Sequence, residues 1–237
     1  MGLLDLTDEC REAVDRWDGH VGPPAKENRG TVSIRVFRND LVERWFATSH
    51  PVLPGVWFGG FIVWGLVVGF VNPSVGVVAG LGLYALGVLA WTLLEYTLHR
   101  FVFHHVPRPD FNSKLRQFMA HGYHHEFPND PWRLVAPPLM SWPIAIVVWF
   151  LYRATLGPDL VWPLFGGTCA GYLAYDWIHY YTHHFTPTTA VGKTLRRLHM
   201  VHHFANADAN HGISSPLWDF VFRTYQARGQ AQGSSTE

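Results

Sequence analysis

The chain has 237 residues with 18 Lys and Arg against 18 Asp and Glu, so its formal net charge is zero and it offers no basic surface for nucleic acid. Charged residues make up only 15%, below the roughly 25% usual in soluble proteins, while aromatics also reach 15% with eleven tryptophans, as lipid interfaces favour. Two cysteines, Cys10 and Cys169, exclude a disulfide framework and a cysteine-based metal site.

In chain order, residues 1–30 are charged and broken by Gly22, Pro23 and Pro24, which reads as a polar tail, partly disordered or loosely docked. The first forty residues carry acids and bases throughout and do not read as a cleavable signal peptide. From Thr31, TVSIRVFRNDLVERWFATSHP is amphipathic and suits a helix, or a short strand and helix, on a membrane surface; a soluble helix fits it equally well. Residues 53–71 are charge-free and about as long as the roughly 20 residues a spanning helix needs. After a break at Asn72, Pro73 and Ser74, residues 75–99 form a second, glycine-rich span. The polar stretch from Arg100 to Arg133 cannot lie in lipid. Third and fourth spans follow at 137–157 and 159–181, joined by a turn at Gly157 and Pro158. From Thr182 the chain is polar again, ending in a tail at 227–237. Seven basic residues precede the first span, five separate spans two and three, and five follow span four, with Arg153 the one exception. The positive-inside rule then predicts an integral membrane protein with both termini and the middle loop cytosolic.

Ten histidines fall in four groups between residues 99 and 203: His99 with His104; His121, His124 and His125; His179 with His183; His199, His202 and His203. Positions three and four apart share a helical face, so each HxxHH triad is expected to point three imidazoles one way, and HxxxH two. His99 and His104, five apart, suit a place where a helix ends before Pro107 and Pro109. Ten buried imidazoles without metal would leave many ring nitrogens to satisfy, whereas coordination satisfies them directly. Ten ligands exceed the about four to six that one first-row ion takes, so the count implies a dinuclear centre. Imidazole suits zinc, copper, iron and nickel alike, leaving the metal open. The topology puts all four groups on the cytosolic side. His20, His50, His105, His184 and His211 lie outside the pattern and read as ordinary. Glu95, one turn before His99, and Asp176, three residues before His179, are carboxylates in apolar spans and are expected to orient the ligands.

With these residues in hand, the chain resembles the fatty acid hydroxylase (sterol desaturase) superfamily of integral membrane oxygenases, and within it the fatty acid 2-hydroxylases, over about residues 31–226. The four clusters stand in family order, accompanied by IRVFRNDLVERW, HHEFPNDPWRLVAPP, YDWIHYYTHHF and HHFANADANHGISSPLWDFVFRT. The resemblance implies an all-α fold of four transmembrane helices with a cytosolic helical cap enclosing a dinuclear centre on the ten histidines. It implies two iron ions in function, with zinc able to occupy the site in purified protein although zinc has no redox chemistry. The implied reaction inserts oxygen from O2 at C2 of a long fatty acyl chain, free or lipid-linked. The cytochrome b5 domain and HPGG motif of many eukaryotic relatives are not matched; His50 and Pro51 copy half of that motif and read as a membrane-entry turn. Electrons are therefore expected from a separate donor of cytochrome b5, ferredoxin or reductase type.

Oxidation at C2 requires the polar end of the substrate to be fixed, because misplacement by about 1 Å can cost on the order of 100-fold in rate. Tyr180, Asn206, Asp208 and Asn210 are the expected contacts. Two other readings remain open: a hydroxylase or desaturase of a sterol, carotenoid or other lipid, and a histidine-rich membrane protein that binds or transports metal. Transport favours ligands at membrane midplane, whereas these clusters sit at helix ends and in polar segments.

Overall fold

The computed structural model describes residues 2–28 and 30–228, so most of the C-terminal tail expected at 227–237 lies outside the described residues. Among those residues the elements are helical: α1 (Asp8–Arg16), α2 (Leu53–Val71), α3 (Val77–Thr97), α4 (Phe111–Gln117), α5 (Pro138–His184), α6 (Ala190–Phe204) and α7 (Leu217–Val221). Short helical turns at Asp40–Val42 and Glu43–Ala47 precede α2, and α3 and α4 run on into wider turns described below. Among the described residues the one extended pairing is an isolated antiparallel bridge between Leu6 and Phe37.

Local chemistry sets the helix starts. Asp110 begins α4 by accepting from the Ser113 amide (2.9 Å), and Thr189 begins α6 by accepting from Gly192 (3.1 Å). Three helices are long and apolar enough to cross a membrane, Leu53–Val71, Val77–Phe103 and Pro138–His184. The last has 47 residues, about 70 Å at 1.5 Å per residue against a hydrocarbon core of about 30 Å. It breaks inside: Gly157 lies at φ 81, ψ −175, outside helical space, and Pro158 disfavours a helical residue before it. The turn expected at this dipeptide is thus a single-residue break between two apolar helical stretches.

The chain divides into two compact units. The first comprises residues 2–7, 35–95 and 131–180. Its helices approach through glycine: a Cβ on Gly65 of α2 would meet the Gly166 Cα of α5 at 2.7 Å, and one on Gly171 would meet the Trp91 Cβ at 2.6 Å. Such seams let backbones pack closely where lipid gives no hydrophobic drive between helices. Phe58, Trp91, Phe165, Cys169 and Tyr172 fill the core, with Trp91 and Phe58 edge-on to Tyr172 at 5.0 and 5.1 Å. Large apolar side chains face outward, among them Val78 at 88% exposure and Phe70 and Phe150 at 62%, an arrangement that suits lipid and not water. The segment IRVFRNDLVERW is irregular up to the bridge at Phe37 and helical after Asn39. It is anchored by Glu43, whose carboxylate pairs with Arg133 and accepts from the Phe37 amide at 2.8 Å.

The second unit comprises residues 8–34, 96–130 and 181–228. Residues 8–28 are packed in it, where the charged sequence suggests a loose tail. Cys10, Ala13 and Val14 form a narrow buried stripe on α1, and Trp17 seats edge-on to Phe118 at 5.6 Å. The stripe is so short that its charged surroundings mask it in the sequence.

Candidate metal centre

The helix that carries His99 widens at its end. Leu98–Phe103 is a π-helical turn, and the His104 amide donates to the His99 carbonyl at 3.2 Å, an i→i+5 bond that brings residues five apart into register. A second π turn, Phe118–Gly122, runs into the helical turn Tyr123–Glu126 and carries His121. Inserted turns of this kind recur at functional sites, and here each aims a histidine that an ordinary α-helix would aim elsewhere.

The imidazoles gather in two groups. His99, His104, His121, His125 and His202 each offer a nitrogen within 4.8 Å of the others. So do His124, His183, His199 and His203. His179 is buried one turn before His183 on α5, on the same helical face. The triads do not point three rings one way. His121 and His125 serve the first group while His124 serves the second; His199 and His203 serve the second while His202 serves the first. The reason is helical geometry: residues i and i+4 share a face, whereas the histidines at i+3 and i+4 are adjacent and lie about 100° apart around the axis. The His125 and His203 rings, one from each group, stack at 4.0 Å.

Backbone carbonyls fix the tautomers of three rings in the first group. Nδ1–H of His99 donates to the His211 carbonyl (2.6 Å), that of His202 to Ala209 (2.7 Å) and that of His125 to Gly22 (3.2 Å). A neutral ring that donates from Nδ1 has only a lone pair at Nε2. Nε2 of His104, His125 and His202 is buried without a hydrogen-bond partner, and the Nε2 atoms of His99 and His121 lie 3.0 Å apart. In the second group, Nε2 of His124 and His203 are 3.0 Å apart and Nε2 of His183 and His199 are 2.7 Å apart. The inward Nε2 lone pairs of His99, His125 and His202, with the Nε2 atoms of their neighbours converging on them, fit a bound cation, the outer carbonyls acting as the partners that metal-binding histidines require.

Electrostatics agree with that fit. Burial is the largest cause holding His104, His121, His125, His202 and His203 below the ordinary histidine value, and neighbouring imidazoles add to it. These rings are neutral at pH 7, the form that binds metal. Their folded values lie below the about 6.5 of the unfolded chain, so below that pH the unfolded state holds more protons. The stability they confer is complete above pH 6.5 and is lost as pH falls. Metal-free protein in detergent is therefore expected to melt at a lower temperature at pH 5.5 than at pH 7.5; equal melting temperatures would contradict the neutral cluster.

The remaining expected residues divide. His20, His50 and His105 are exposed and His184 is half-buried, but His211 is buried against the first group, with ring centroids 5.5, 5.3 and 5.4 Å from His99, His104 and His202. Burial, with His99 and Arg100 nearby, pushes it down to about 3, although the Asp208 carbonyl favours its charged form. Glu95 and Asp176 are both buried, yet the Nδ1 partner of His99 is the His211 carbonyl. Asn210 adopts φ 56, donates to the Leu198 and Gln226 carbonyls and accepts from the Gln226 amide; Asn206 donates to the Gln226 side chain and accepts from the Asp208 amide. These two amides, expected to meet substrate, are committed to holding the loop after α6. Asp208 is exposed and Tyr180 half-buried.

Sequence reasoning missed Asp219. Fully buried at the start of α7, it accepts from the His211 amide (2.8 Å), the Gly212 amide (2.9 Å) and the Thr224 hydroxyl (2.7 Å), so it fixes the peptide whose carbonyl orients His99. Eight residues separate it from His211 and no periodicity links them.

Residues 84–224 match the family model described as fatty acid hydroxylase. A dihydroceramide fatty acyl 2-hydroxylase of Arabidopsis thaliana is 35% identical over 215 residues, covering 87% of this chain and 88% of its own. The fatty acid 2-hydroxylase of Rattus norvegicus is 34% identical over 214 residues, covering 81% of this chain and 56% of its own. The solved structure of full-length scs7p, in which only the hydroxylase domain is visible, superposes with a TM-score of 0.78 at 27% identity, covering 96% of this chain and 83% of that one. The matched stretch holds all ten histidines of the pattern and the loop whose carbonyls orient His99 and His202, and with it the chain belongs to the fatty acid hydroxylase family.

Proposed function

We propose that the chain is a membrane-bound di-iron hydroxylase that inserts one oxygen atom from O2 at C2 of a long fatty acyl chain, free or lipid-linked. The carrying observation is the pair of imidazole groups with buried, converging Nε2 atoms, in a chain whose relatives are fatty acyl 2-hydroxylases. His99, His104, His121, His125 and His202 would hold one ion; His124, His179, His183, His199 and His203 would hold the other. Iron supplies the redox chemistry to activate O2 with electrons from a separate donor protein, chemistry that zinc lacks.

The protein's own share is positioning. The Gly22, Ala209 and His211 carbonyls hold three ligand rings in one tautomer, and burial keeps the imidazoles neutral. Asp176, three residues before His179, and Glu95, one turn before His99, extend this support at the helix ends. An oxidant able to break an aliphatic C–H bond has little preference along a methylene chain, so the chain must be held by its polar end. Asp208 and Tyr180 are the proposed contacts, Asn206 and Asn210 shaping the loop beside them. The break at Gly157 supports four spans, and the distribution of lysine and arginine supports cytosolic termini and a cytosolic metal centre beneath a helical cap.

Lipid profiling of a host with and without the chain tests the reading. We expect 2-hydroxy acyl lipids that appear only with the chain and only under O2, from protein holding two metal ions. Mass spectrometry that placed the new oxygen or a double bond in mid-chain, or that found only oxidised sterol or carotenoid, would overturn the C2 assignment.

A further inference from the structure

We propose that the N-terminal segment around residues 17–28 is a working part of the first metal group, and that Glu126 is the positioning residue that holds it there. This rests on the metal reading of that group. Gly22 supplies the carbonyl to which His125 Nδ1–H donates (3.2 Å), the outer partner of a ring whose buried Nε2 faces the group. That carbonyl lies over one hundred positions away in sequence and has no covalent reason to stay. The next residue after His125 keeps it. Glu126 is buried, and its Oε2 accepts both from the Ala25 amide (3.0 Å) and from Asn28 Nδ2 (2.7 Å), closing the loop whose first residues are Gly22, Pro23 and Pro24.

One contact within the segment and two between residues 15–17 and the helical run 111–126 brace it. Trp17 lies so close to Gly122 that a Cβ there would meet its ring at 2.9 Å. Trp17 Nε1 donates to the His20 carbonyl (2.9 Å), and Lys114 Nζ donates to the Asp15 carbonyl (2.9 Å). His125 and Glu126 are adjacent on one helical turn, so the carboxylate and the imidazole grip the two ends of one short stretch, Gly22 to Asn28. Two prolines limit how that stretch can relax. Loss of the Glu126 acceptor frees the loop, and with it the Gly22 carbonyl that sets the His125 tautomer and direction. Outer partners of this kind typically change metal affinity by about 10–100-fold.

The test uses Co(II) as the probe, bound to full-length purified protein in detergent and followed by its visible absorption and by chelator competition. Wild type is expected to bind two ions tightly. Glu126→Ala should bind one of them about 10–100-fold more weakly, with a changed visible spectrum for that ion and an unchanged second ion. Glu126→Gln keeps a side-chain oxygen to accept both N–H groups and should behave as wild type, whereas a role for the negative charge would make it fail like alanine. Asn28→Ala removes one donor and should show a smaller loss in the same direction, which keeps the test open should Glu126→Ala not fold. Variants that bind both ions as wild type does would overturn the inference while leaving the metal centre standing. Wild type binding no Co(II) would overturn the metal reading and this inference together.

Discussion

His202→Ala is expected to leave the protein with one metal ion and to lower hydroxylation by more than about 100-fold, beyond the 10–100-fold typical of an outer-shell change. The direction of the effect is specific. His202 sits on α6 between His199 and His203, yet its Nε2 belongs with His99, His104, His121 and His125, so the ion lost is the one held mainly by the turns that follow α3 and α4. A reading by sequence neighbourhood predicts loss of the other ion. The two outcomes separate when His202→Ala is combined with His104→Ala. Both substitutions strike one group, so the double variant should still hold one ion per chain by elemental analysis. Zero ions in the double variant, or two in either single variant, would refute the exchanged assignment. Because metal binding and folding are linked, the single variant should also unfold at a lower temperature than loaded wild type.

Asp219→Ala should destabilise the fold by about 3 kcal/mol or more and release the first group with it. Removing the carboxylate leaves the His211 amide, the Gly212 amide and the Thr224 hydroxyl without their acceptor, and each buried orphan costs about 1–3 kcal/mol. The His211 peptide then loses its fixed orientation, and its carbonyl no longer holds His99 Nδ1–H. Burial pushes the Asp219 carboxyl upward while its three donors pull it down, so its balance depends on those same bonds. Thermal unfolding in detergent reads the stability and elemental analysis reads the metal. Asp219→Asn keeps one acceptor oxygen but turns an amide N–H toward a backbone N–H, and should fall between. An alanine variant as stable as wild type, with both ions retained, would show that the clamp is dispensable.

The apolar stretches were legible because a membrane helix is specified by length and lack of charge. Leu53–Val71 has the bounds expected from composition, and the break at Gly157 falls where glycine followed by proline predicts one. The ten histidines were legible as a set because no ordinary core accumulates so many imidazoles. Their partition was not. HxxHH fixes the angles around one helix, but which neighbour each ring meets depends on a π turn at Leu98–Phe103 that no residue pattern announces. The supporting partners were hidden for a related reason: Gly22, Ala209 and His211 act through backbone carbonyls, which every residue possesses. Asn206 and Asn210 were visible as polar residues near the site, but a polar side chain in a loop serves nearby backbone as readily as a substrate, and here both do.

The exchange of His124 and His202 between the two groups has a consequence for how the centre assembles. His124 and His125 share one peptide bond but belong to different groups, as do His202 and His203. An ion captured by either group therefore stiffens a turn that already carries a ligand of its neighbour. The span between the two groups is set by bonds within single helical turns, which a flexing of whole helices cannot stretch. Neither half of the chain, taken alone, contains all the ligands of either group, so the centre is indivisible in the way a clasp is, each jaw made from both sides.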